Sequence, residues 1–345
     1  MTSTVHRPSS IVHSPFSILS TRAPSVSVII PACNARENLK ACLDALEQQT
    51  VPRKQYEIIV VNDGPVDTRV KATVDRYAVT FLSQLRRGAA AARNLGAKRA
   101  QGEILLFTDV DCVPESNWIE AMTAPLADQE VVGVCGVVRT RQTAPIPRFI
   151  QLEYDYRYRN IAKHPQIDFI NTGTAGYRKH IFLETGGFRE DLLGAEDAEL
   201  SFRLASEGHK MVFAPQAVIH HWHPESILEY ARRKYHYGYW RMMVYERHPR
   251  KAVADSRTPQ TQKIQIGLFS LLVVAIIGAI LWRGFVWLAA ALALSFLFAS
   301  LPFWWWVLRR DLEVGLFTPL FLVVATASAG AGVMAGVVRQ WIRRF

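Results

Sequence analysis

The chain has 345 residues, half of them hydrophobic, and a formal net charge of +10. Its four cysteines are scattered without a CxxC pair, which excludes a disulfide framework or a zinc cluster and favours a reducing compartment. The positive charge comes without a recognised nucleic-acid-binding motif, so we expect no nucleic-acid partner.

The distribution of charge divides the chain into a soluble part and a membrane part. Charged residues are spread through the first 260 positions, whereas long apolar runs dominate after Lys263. Residues 1–24 have no apolar core of signal-peptide length, and we interpret them as a disordered lead-in to a domain that stays in the cytoplasm. Between Ile227 and Lys263, nine basic residues face three acidic ones. We therefore expect a basic neck, residues 246–263, to lie against anionic lipid headgroups.

The first hundred residues of the soluble part alternate between short apolar runs and helical patterns. Val26–Pro31 is a β-branched run typical of a buried strand, and the helix from Arg36 to Gln48 has Asn34 in position to cap it. The elements expected next are a strand at 57–61, a helix after Pro65, a strand at 79–82, an alanine-rich helix at 88–99 and a strand at 104–108.

This alternation predicts an α/β fold with a mostly parallel sheet and helices on both faces. Ligands of such sheets bind beyond the carboxyl ends of the strands. Asp63 and the triplet Asp109-Val110-Asp111 each follow an apolar strand directly, and so we expect both at that edge.

After the triplet the pattern becomes mixed. An apolar stretch at 131–138 precedes a long aromatic and basic segment at 147–163, where acceptor-side elaborations are expected. Further on we predict a helix at 196–207 and two strands, at 210–214 and 217–221.

Three apolar runs follow, at Ile264–Trp282, Phe285–Leu308 and Val314–Val338, before a basic tail at 339–345. Each is long enough to span a bilayer, which predicts a multi-pass membrane protein with two or three spans in 264–338. Three spans would place the basic tail outside the cell, against the positive-inside tendency. The third run is rich in glycine and alanine, so packing as a bent or re-entrant segment is the alternative.

Two acidic pairs have the chemistry of a transferase site. A diphosphate leaving group needs a divalent metal held by hard oxygen ligands, and Asp109 and Asp111 supply two carboxylates on one turn. Glu196 and Asp197 open a helix, where a carboxylate can act as the general base that takes a hydroxyl proton. Helix capping is the alternative explanation for each pair.

Seven ordered motifs make the region from about Val26 to Tyr245 resemble the family 2 glycosyltransferases of the GT-A fold. They are Val28-Ile29-Ile30-Pro31-Ala32-Cys33-Asn34, Val61-Asn62-Asp63-Gly64, Ala92-Arg93-Asn94-Leu95-Gly96, Thr108-Asp109-Val110-Asp111-Cys112, Gly186-Gly187-Phe188, Glu196-Asp197-Ala198-Glu199-Leu200 and Val218-Ile219-His220-His221. The resemblance implies a GT-A domain over 25–245.

The resemblance also implies roles for individual residues. The donor pocket would comprise Pro31, Ala32, Glu37, Asp63, Arg93, Asn94 and, on the ribose side, Asp109. Asp111 and His221 would bind Mg²⁺ or Mn²⁺, with His220 and His223 as competing candidates for the histidine ligand. Asp197 would be the base of an inverting transfer. The acceptor side would comprise Gly173, Thr174, Ala175, Gly176 and Glu196, although 173–176 also fits a tight turn.

The sequence departs from the family pattern at Asn62 and Pro65, where Asp and Ser are frequent, and it lacks the Gln-x-x-Arg-Trp motif of processive synthases. The predicted reaction is therefore non-processive transfer of a sugar from a nucleotide-diphosphate sugar to a glycan or lipid-linked acceptor of the membrane or cell envelope. The alternatives are a sugar nucleotidyltransferase and an inactive scaffold of the same fold.

Overall fold

A computed structural model describes residues 24–32 and 38–342. The strands are β1 (Val26–Ala32), β2 (Tyr56–Asp63), β3 (Thr80–Gln84), β4 (Ile104–Thr108), β5 (Cys112–Pro114), β6 (Val131–Arg139), β7 (Thr174–Arg178) and β8 (Lys210–His221). The helices are α1 (Leu39–Glu47), α2 (Thr68–Val74), α3 (Ala89–Arg99), α4 (Trp118–Thr123), α5 (Pro145–Ile161), α6 (Lys179–Glu184), α7 (Glu196–Ser206), α8 (Ile227–Arg247), α9 (Pro249–Val253), α10 (Gln260–Leu281), α11 (Phe285–Leu308) and α12 (Leu312–Ile342).

The eight strands form one sheet in the order β3-β2-β1-β4-β7-β6-β8-β5. Its first half is parallel, because β1 pairs with β2 and β4, and β2 pairs with β3, through helical crossovers. Strands β1, β2 and β4 are buried on both faces by two separate apolar clusters, which explains their apolar sequences. The carboxyl ends of β1, β2 and β4 consequently lie side by side.

The second half of the sheet adds antiparallel strands to the mostly parallel arrangement, and four of the seven pairings among the described strands are parallel. Strand β7 runs antiparallel to both β4 and β6, and β5 runs antiparallel to β8. Only β6 and β8 pair in parallel in this half. The result is a mixed sheet. Strand β7 pairs with β4, and β5, which follows β4 in the chain, pairs with β8, so both β7 and β8 are brought to the region where β4 ends.

The segments at 210–214 and 217–221 form one strand, β8, and not two. The register against β6 shifts between Cys135 and Val137, beside the exposed Pro215 and Gln216. A proline is tolerated at such an irregularity because no ladder hydrogen bond is required of it. The strand therefore continues through the proline that the sequence pattern treats as a break.

Three basic side chains of the neck have partners within the protein, whereas its expected contact with lipid headgroups stays a prediction. Lys251 is 2.5 Å from Asp168, and Lys263 is 3.0 Å from Asp255. The guanidinium of Arg257 lies over the Phe169 ring at 3.9 Å. Lys251 and Arg257 thus contact the preceding domain, whereas Lys263 pairs with an aspartate of the neck itself.

Helices α10, α11 and α12 are each long and apolar enough to cross a membrane, by length and composition. The first two expose most of their apolar side chains, whereas α12 buries one stripe along its length. That stripe contacts α5 and α8 of the catalytic domain, with Phe321 on α12 against Phe149 on α5 at 4.8 Å between ring centroids.

Candidate active site

Asp63 is the last residue of β2, and its carboxylate holds the loop that leads into α3 through hydrogen bonds. Its Oδ1 accepts hydrogen bonds from Gln84 Nε2 and the backbone N–H of Arg87, and its Oδ2 accepts one from the N–H of Gly88, all at 2.8 Å. Burial would raise the pKa of Asp63, but these hydrogen bonds hold it below its ordinary value. Asp63 is thus an ionised anchor beside the end of β1.

Arg93 joins the two acidic pairs that the sequence singled out. It is 4% exposed on α3, its Nη2 donates to Asp109 Oδ1 at 2.6 Å, and its Nη1 donates to Glu196 Oε1 at 2.8 Å. Burial raises the pKa of the Glu196 carboxyl, and the Arg93 charge opposes that rise. One buried cation therefore sets the distance between the end of β4 and the start of α7.

Asn94 is buried behind Arg93 and does not line the cavity described below, and its expected role in supporting the donor pocket stays a prediction. Its Nδ2 donates to the Phe188 carbonyl at 2.7 Å, and its Oδ1 accepts from the Phe188 N–H at 2.9 Å. A Cβ at Gly187, where φ is +68°, would lie 2.6 Å from Asn94 Oδ1. The hydrogen bonds between Asn94 and the Phe188 backbone therefore require a glycine at position 187, and both residues have a structural role.

Asp111 and His221 meet because β5 pairs with β8, with Cys112 directly opposite His221. His221 Nε2 lies 3.3 Å from Asp111 Oδ2. Burial would raise the pKa of Asp111, but the His221 imidazole outweighs burial and holds the pKa below its ordinary value. His220 points away from this pair, with its Nε2 3.1 Å from Glu115 Oε1.

His223 lies behind His221 as its second contact. Their Nδ1 atoms are 3.4 Å apart, and His223 Nε2 is 3.4 Å from Gln151 Oε1. The ring stacks on Tyr154, and burial lowers the pKa of His223 to about 3. A neutral His223 can accept a hydrogen bond from His221 Nδ1–H, and in that tautomer His221 Nε2 would offer its lone pair to a cation held beside Asp111.

The side chains of Asp111, Cys112 and His221 bring three possible metal-ligating atoms within 4.8 Å of one another. Burial raises the pKa of the Cys112 thiol well above its ordinary value, so the thiolate form that binds metals is disfavoured. A carboxylate oxygen and an imidazole nitrogen remain, a pair that suits Mn²⁺ and is less typical of Mg²⁺. The residues at this site therefore fit a divalent cation.

The segment before α7 holds a strained backbone. Ala195 has φ 62° and ψ 21°, and within 24–32 and 38–342 it is the only non-glycine residue with positive φ. Such a conformation costs on the order of 1–3 kcal/mol. A Cβ at the preceding Gly194 would lie 2.7 Å from Trp240 Cδ1, so this turn packs flat against α8. The strain orients Glu196 and Asp197 at the first turn of α7.

A cavity of about 820 Å³ lies between these elements. Asp109 and His221 line one side, Glu196 and Asp197 line another, and α8 contributes a basic and aromatic wall. The α8 residues that line it are Arg233, Tyr235, His236, Tyr237, Tyr239 and Trp240. The cavity is large enough for a sugar and the groups attached to it.

Two family descriptions match the chain. Residues 27–186 match glycosyl transferase family 2, and residues 148–324, about half of the chain, match glycosyl transferase family group 2. The chain belongs to the family 2 glycosyltransferases. This membership confirms the predicted enzyme class and the GT-A fold with apolar C-terminal helices.

Individual relatives are distant. Glycosyltransferase AglE of Haloferax volcanii is 28% identical over 213 residues, which cover 58% of this chain and 67% of that protein. The pre-mycofactocin glycosyltransferase of Mycobacterium tuberculosis is 27% identical over 237 residues, which cover 66% of this chain but only 48% of that protein. This chain therefore spans about half the length of the second relative.

A solved structure extends the likeness to nearly the whole chain. The mannosyltransferase of Pyrobaculum calidifontis, solved in complex with GDP-Man and Mn²⁺, has a TM-score of 0.61 and 21% identity, and the match covers 96% of this chain and 90% of that one. At this identity the likeness shows a shared fold, including the C-terminal helices.

The expected donor pocket is only partly described. Pro31 and Ala32 end β1 beside Val61 and Asn62 of β2, next to Asp63, while Glu37 and the proposed cap Asn34 lie outside the described residues. Neither Pro31, Ala32 nor Asp63 lines the 820 Å³ cavity. The structure therefore brings these three together at a separate stretch of the same sheet edge.

The acceptor-side expectation for Thr174, Ala175 and Gly176 needs correction, because these residues form the buried start of β7. Thr174 and Ala175 are fully buried, and Thr174 Oγ1 accepts a hydrogen bond from Trp118 Nε1 at 3.0 Å. A Cβ at Gly176 would lie 3.0 Å from Leu106 Cδ2. Small residues here permit close packing inside the sheet, and of this stretch Gly173 alone lines the cavity.

Sequence reasoning missed several cavity residues, including Asn171, Thr172, Gly194 and Arg257. The one available signal was a glycine two residues before the acidic start of α7, since Gly194 permits the close approach of Trp240. Arg257 was assigned to the neck, and nothing in the sequence distinguishes it from the other basic residues there.

Proposed function

We propose that the chain is an inverting, metal-dependent glycosyltransferase that moves a sugar from a nucleotide-diphosphate sugar to a glycan or lipid-linked acceptor at the membrane. The observation that carries this proposal is the pairing of Asp111 with His221, which lines the same cavity as Glu196 and Asp197. Family membership supports the reaction class.

The donor side would be built around Asp111 and His221. A divalent cation held there would neutralise the charge that develops on the diphosphate as the sugar leaves. The complex of the Pyrobaculum mannosyltransferase with GDP-Man and Mn²⁺ supports a nucleotide-sugar donor and this metal. Asp109, held by Arg93 and about 30% exposed, would accept hydrogen bonds from the ribose.

The acceptor side would use the first turn of α7. Glu196 is held by Arg93, whereas Asp197 Oδ1 accepts a hydrogen bond from the backbone N–H of Ala198 at 2.7 Å. We therefore assign Asp197 as the base that takes the proton of the acceptor hydroxyl and Glu196 as the residue that keeps α7 in place. A single displacement by that hydroxyl inverts the anomeric centre.

The aromatic wall on α8 would bind the acceptor. Tyr235, Tyr239 and Trp240 present flat apolar faces with polar edges, which suit a sugar ring whose hydroxyl groups need partners. Among the relatives, the O-antigen chain rhamnosyltransferase RfbN of Salmonella typhimurium is 26% identical over 213 residues. A relative that acts on the O-antigen chain supports an envelope glycan as the acceptor of this chain.

The experiment is a screen of the purified, detergent-solubilised chain against a panel of nucleotide sugars with Mn²⁺, Mg²⁺ or EDTA. We expect metal-dependent release of a nucleoside diphosphate, which D111N and D197N each abolish and which the surface variant D128N retains. Release of pyrophosphate would instead identify a nucleotidyltransferase. No turnover with any donor, or full turnover by D111N and D197N, would refute the proposal.

The inverting course needs its own measurement. NMR of the product formed with a small acceptor or water reports the anomeric configuration, which we expect to be opposite to that of the donor. A retained configuration would refute the role of Asp197 as a base in single displacement, even if the metal dependence is confirmed.

A further inference from the structure

Helix α12 has both of its ends on the catalytic domain. At its start, Arg148 of α5 binds Asp311, just before the helix, at 2.6 Å and Glu313 at 2.8 Å. Near its end, Gln340 Nε2 donates to the Met242 carbonyl of α8 at 2.6 Å. The helix has 31 residues and is therefore about 46 Å long, longer than the bilayer core.

Between these ends, small residues let α12 approach the backbone of α8 closely. A Cβ at Gly332 would clash with the Tyr235 carbonyl, and one at Gly238 would clash with the Ala329 carbonyl. A Cβ at Gly336 would lie 2.9 Å from the Tyr239 carbonyl and from Met242 Cβ. Such contacts are made only by glycine, so α12 is seated on α8 along its second half.

Helix α8 is part of the catalytic domain and cannot lie inside a bilayer. Its Met243 and Val244 are buried in a cluster with Phe202 of α7, and its Arg247 is 3.3 Å from Asp191. Because α8 also lines the active-site cavity, the end of α12 lies on the same side of the membrane as the catalytic machinery. Arg339 Nη1 donates to the Tyr239 hydroxyl at 2.5 Å, on the aromatic wall itself.

The opposite face of α12 is an exposed apolar stripe. Its large members form two groups on this face, Leu316, Phe317, Leu320 and Val323 toward the start of α12 and Met334, Val337, Val338 and Trp341 toward its end. The α10–α11 hairpin beside it exposes apolar side chains over most of its surface. Where α11 ends, Arg309 and Arg310 stack on Trp305 and Trp306 at 4.7 and 4.1 Å, an arrangement typical of a membrane interface.

We propose that α10 and α11 form the only two spans within the described residues, and that α12 lies in the plane of the membrane, with its exposed stripe in the lipid leaflet and its glycine stripe on α8. Two spans return the chain to the catalytic side, which places Arg339 and the basic tail inside and satisfies the positive-inside tendency. We assign the lipid leaflet as the partner that covers the exposed apolar stripe of α12, because this stripe lies beside the apolar surface of the α10–α11 hairpin.

Cysteine labelling of the full chain in sealed membrane vesicles tests this topology. Single cysteines are placed at Glu130, on the catalytic surface, at Arg283, between α10 and α11, and at Phe345, in a C33S background that leaves only buried native thiols among the described residues. We expect a membrane-impermeant maleimide to label F345C from the same side as E130C, and R283C from the opposite side. Labelling of F345C from the side of R283C would overturn the proposal, as would labelling of all three from one side.

A packing test measures the contact with α8 independently of topology. G332L places a side chain against the Tyr235 carbonyl and should reduce turnover at least tenfold, because it moves the aromatic wall of the cavity. The matched control is G267L on α10, where a Cβ would meet no atom within 4 Å. Equal turnover of G332L and G267L would contradict the close packing of α12 on α8. If G332L does not fold, G332A has a smaller side chain and should give an intermediate loss of turnover.

Discussion

Replacing Arg93 with glutamine tests whether one buried cation organises both halves of the active site. The variant keeps most of the side-chain volume but removes the charge between Asp109 and Glu196. Breaking a buried ion pair costs about 3–5 kcal/mol because it leaves the partner charge buried. Glu196 is 14% exposed, but Asp109 is 30% exposed and partly solvated, so we expect the low end, about 3 kcal/mol.

Catalysis should suffer as well as stability. Without Arg93 the start of α7 and the turn after β4 lose their shared anchor, and a displacement of about 1 Å at reacting groups can cost about 100-fold in rate. We therefore expect R93Q to lose about 100-fold in kcat and to melt about 6–12 °C lower, from about 2–4 °C per kcal/mol. The assays are steady-state turnover and thermal melting in detergent.

The matched control is R203Q on α7. Arg203 pairs with Glu199 at 2.9 Å and donates to the Gly187 carbonyl at 2.8 Å, but it does not line the cavity. Its loss should lower the melting temperature without a comparable fall in kcat of the folded protein. If R93Q and R203Q lose stability equally and R93Q keeps kcat within about twofold of the unmodified chain, Arg93 is only structural and the reasoning is refuted.

Three further variants test other parts of the fold. Burial opposes ionisation of Asp255, but neighbours including Lys263 hold its pKa below the ordinary 3.8. The ionised carboxylate therefore stabilises the fold above pH 3.8, and this stabilisation is lost in more acidic solution. D255N should melt below the unmodified chain at about pH 7, with a difference that shrinks below pH 3.8, and a constant difference across about pH 3–7 would contradict this. G102A places a Cβ 2.7 Å from the β1 backbone and should cost about 1–3 kcal/mol in unfolding free energy by denaturant titration, whereas G267A, whose Cβ would meet no atom within 4 Å inside α10, should leave stability unchanged or raise it by up to about 1 kcal/mol. W240A removes the ring that packs on Gly194 and should raise KM for the acceptor more than KM for the donor, and unchanged acceptor kinetics would refute its role in the wall.

The first half of the fold was predictable because its signals are local. Strands β1, β2 and β4 are buried on both faces, so their apolar runs mark them directly, and the turns after β2 and β4 hold the acidic residues where a parallel sheet places them. The helix after Pro65 begins at Thr68 with Asp67 as its N-cap, which the sequence pattern also permits. The alternation of elements alone thus locates Asp63 and Asp109.

The second half was harder because its strands depend on distant partners. The small residues at the start of β7 are explained by packing against Leu106 of β4 and Met122 of α4, more than fifty residues earlier. No local pattern distinguishes such a strand from a glycine-containing turn. The pairing of β5 with β8 is equally distant, and it is what places His221 rather than His220 beside Asp111.

The membrane part shows a different limit of sequence reasoning. Apolar length predicts that a helix can cross a bilayer but not that it does, and the glycines of α12 have no meaning until their contact with Tyr235 and Met242 is known. The neck shows the same problem for charge, because Lys251 and Lys263 find acidic partners that the sequence does not reveal.

The central claim is that Asp111 and His221 hold the metal and donor diphosphate, while Asp197 acts on the acceptor. Calorimetric titration of D111N and D197N with Mn²⁺ and the donor that supports turnover, alongside single-turnover kinetics, separates these roles. We predict that D111N loses metal-dependent donor binding, whereas D197N binds the donor within about threefold of the unmodified chain but transfers its sugar at least about 100-fold more slowly, the lower range for loss of a general base. Normal donor binding by D111N, or normal transfer by D197N, would contradict the account.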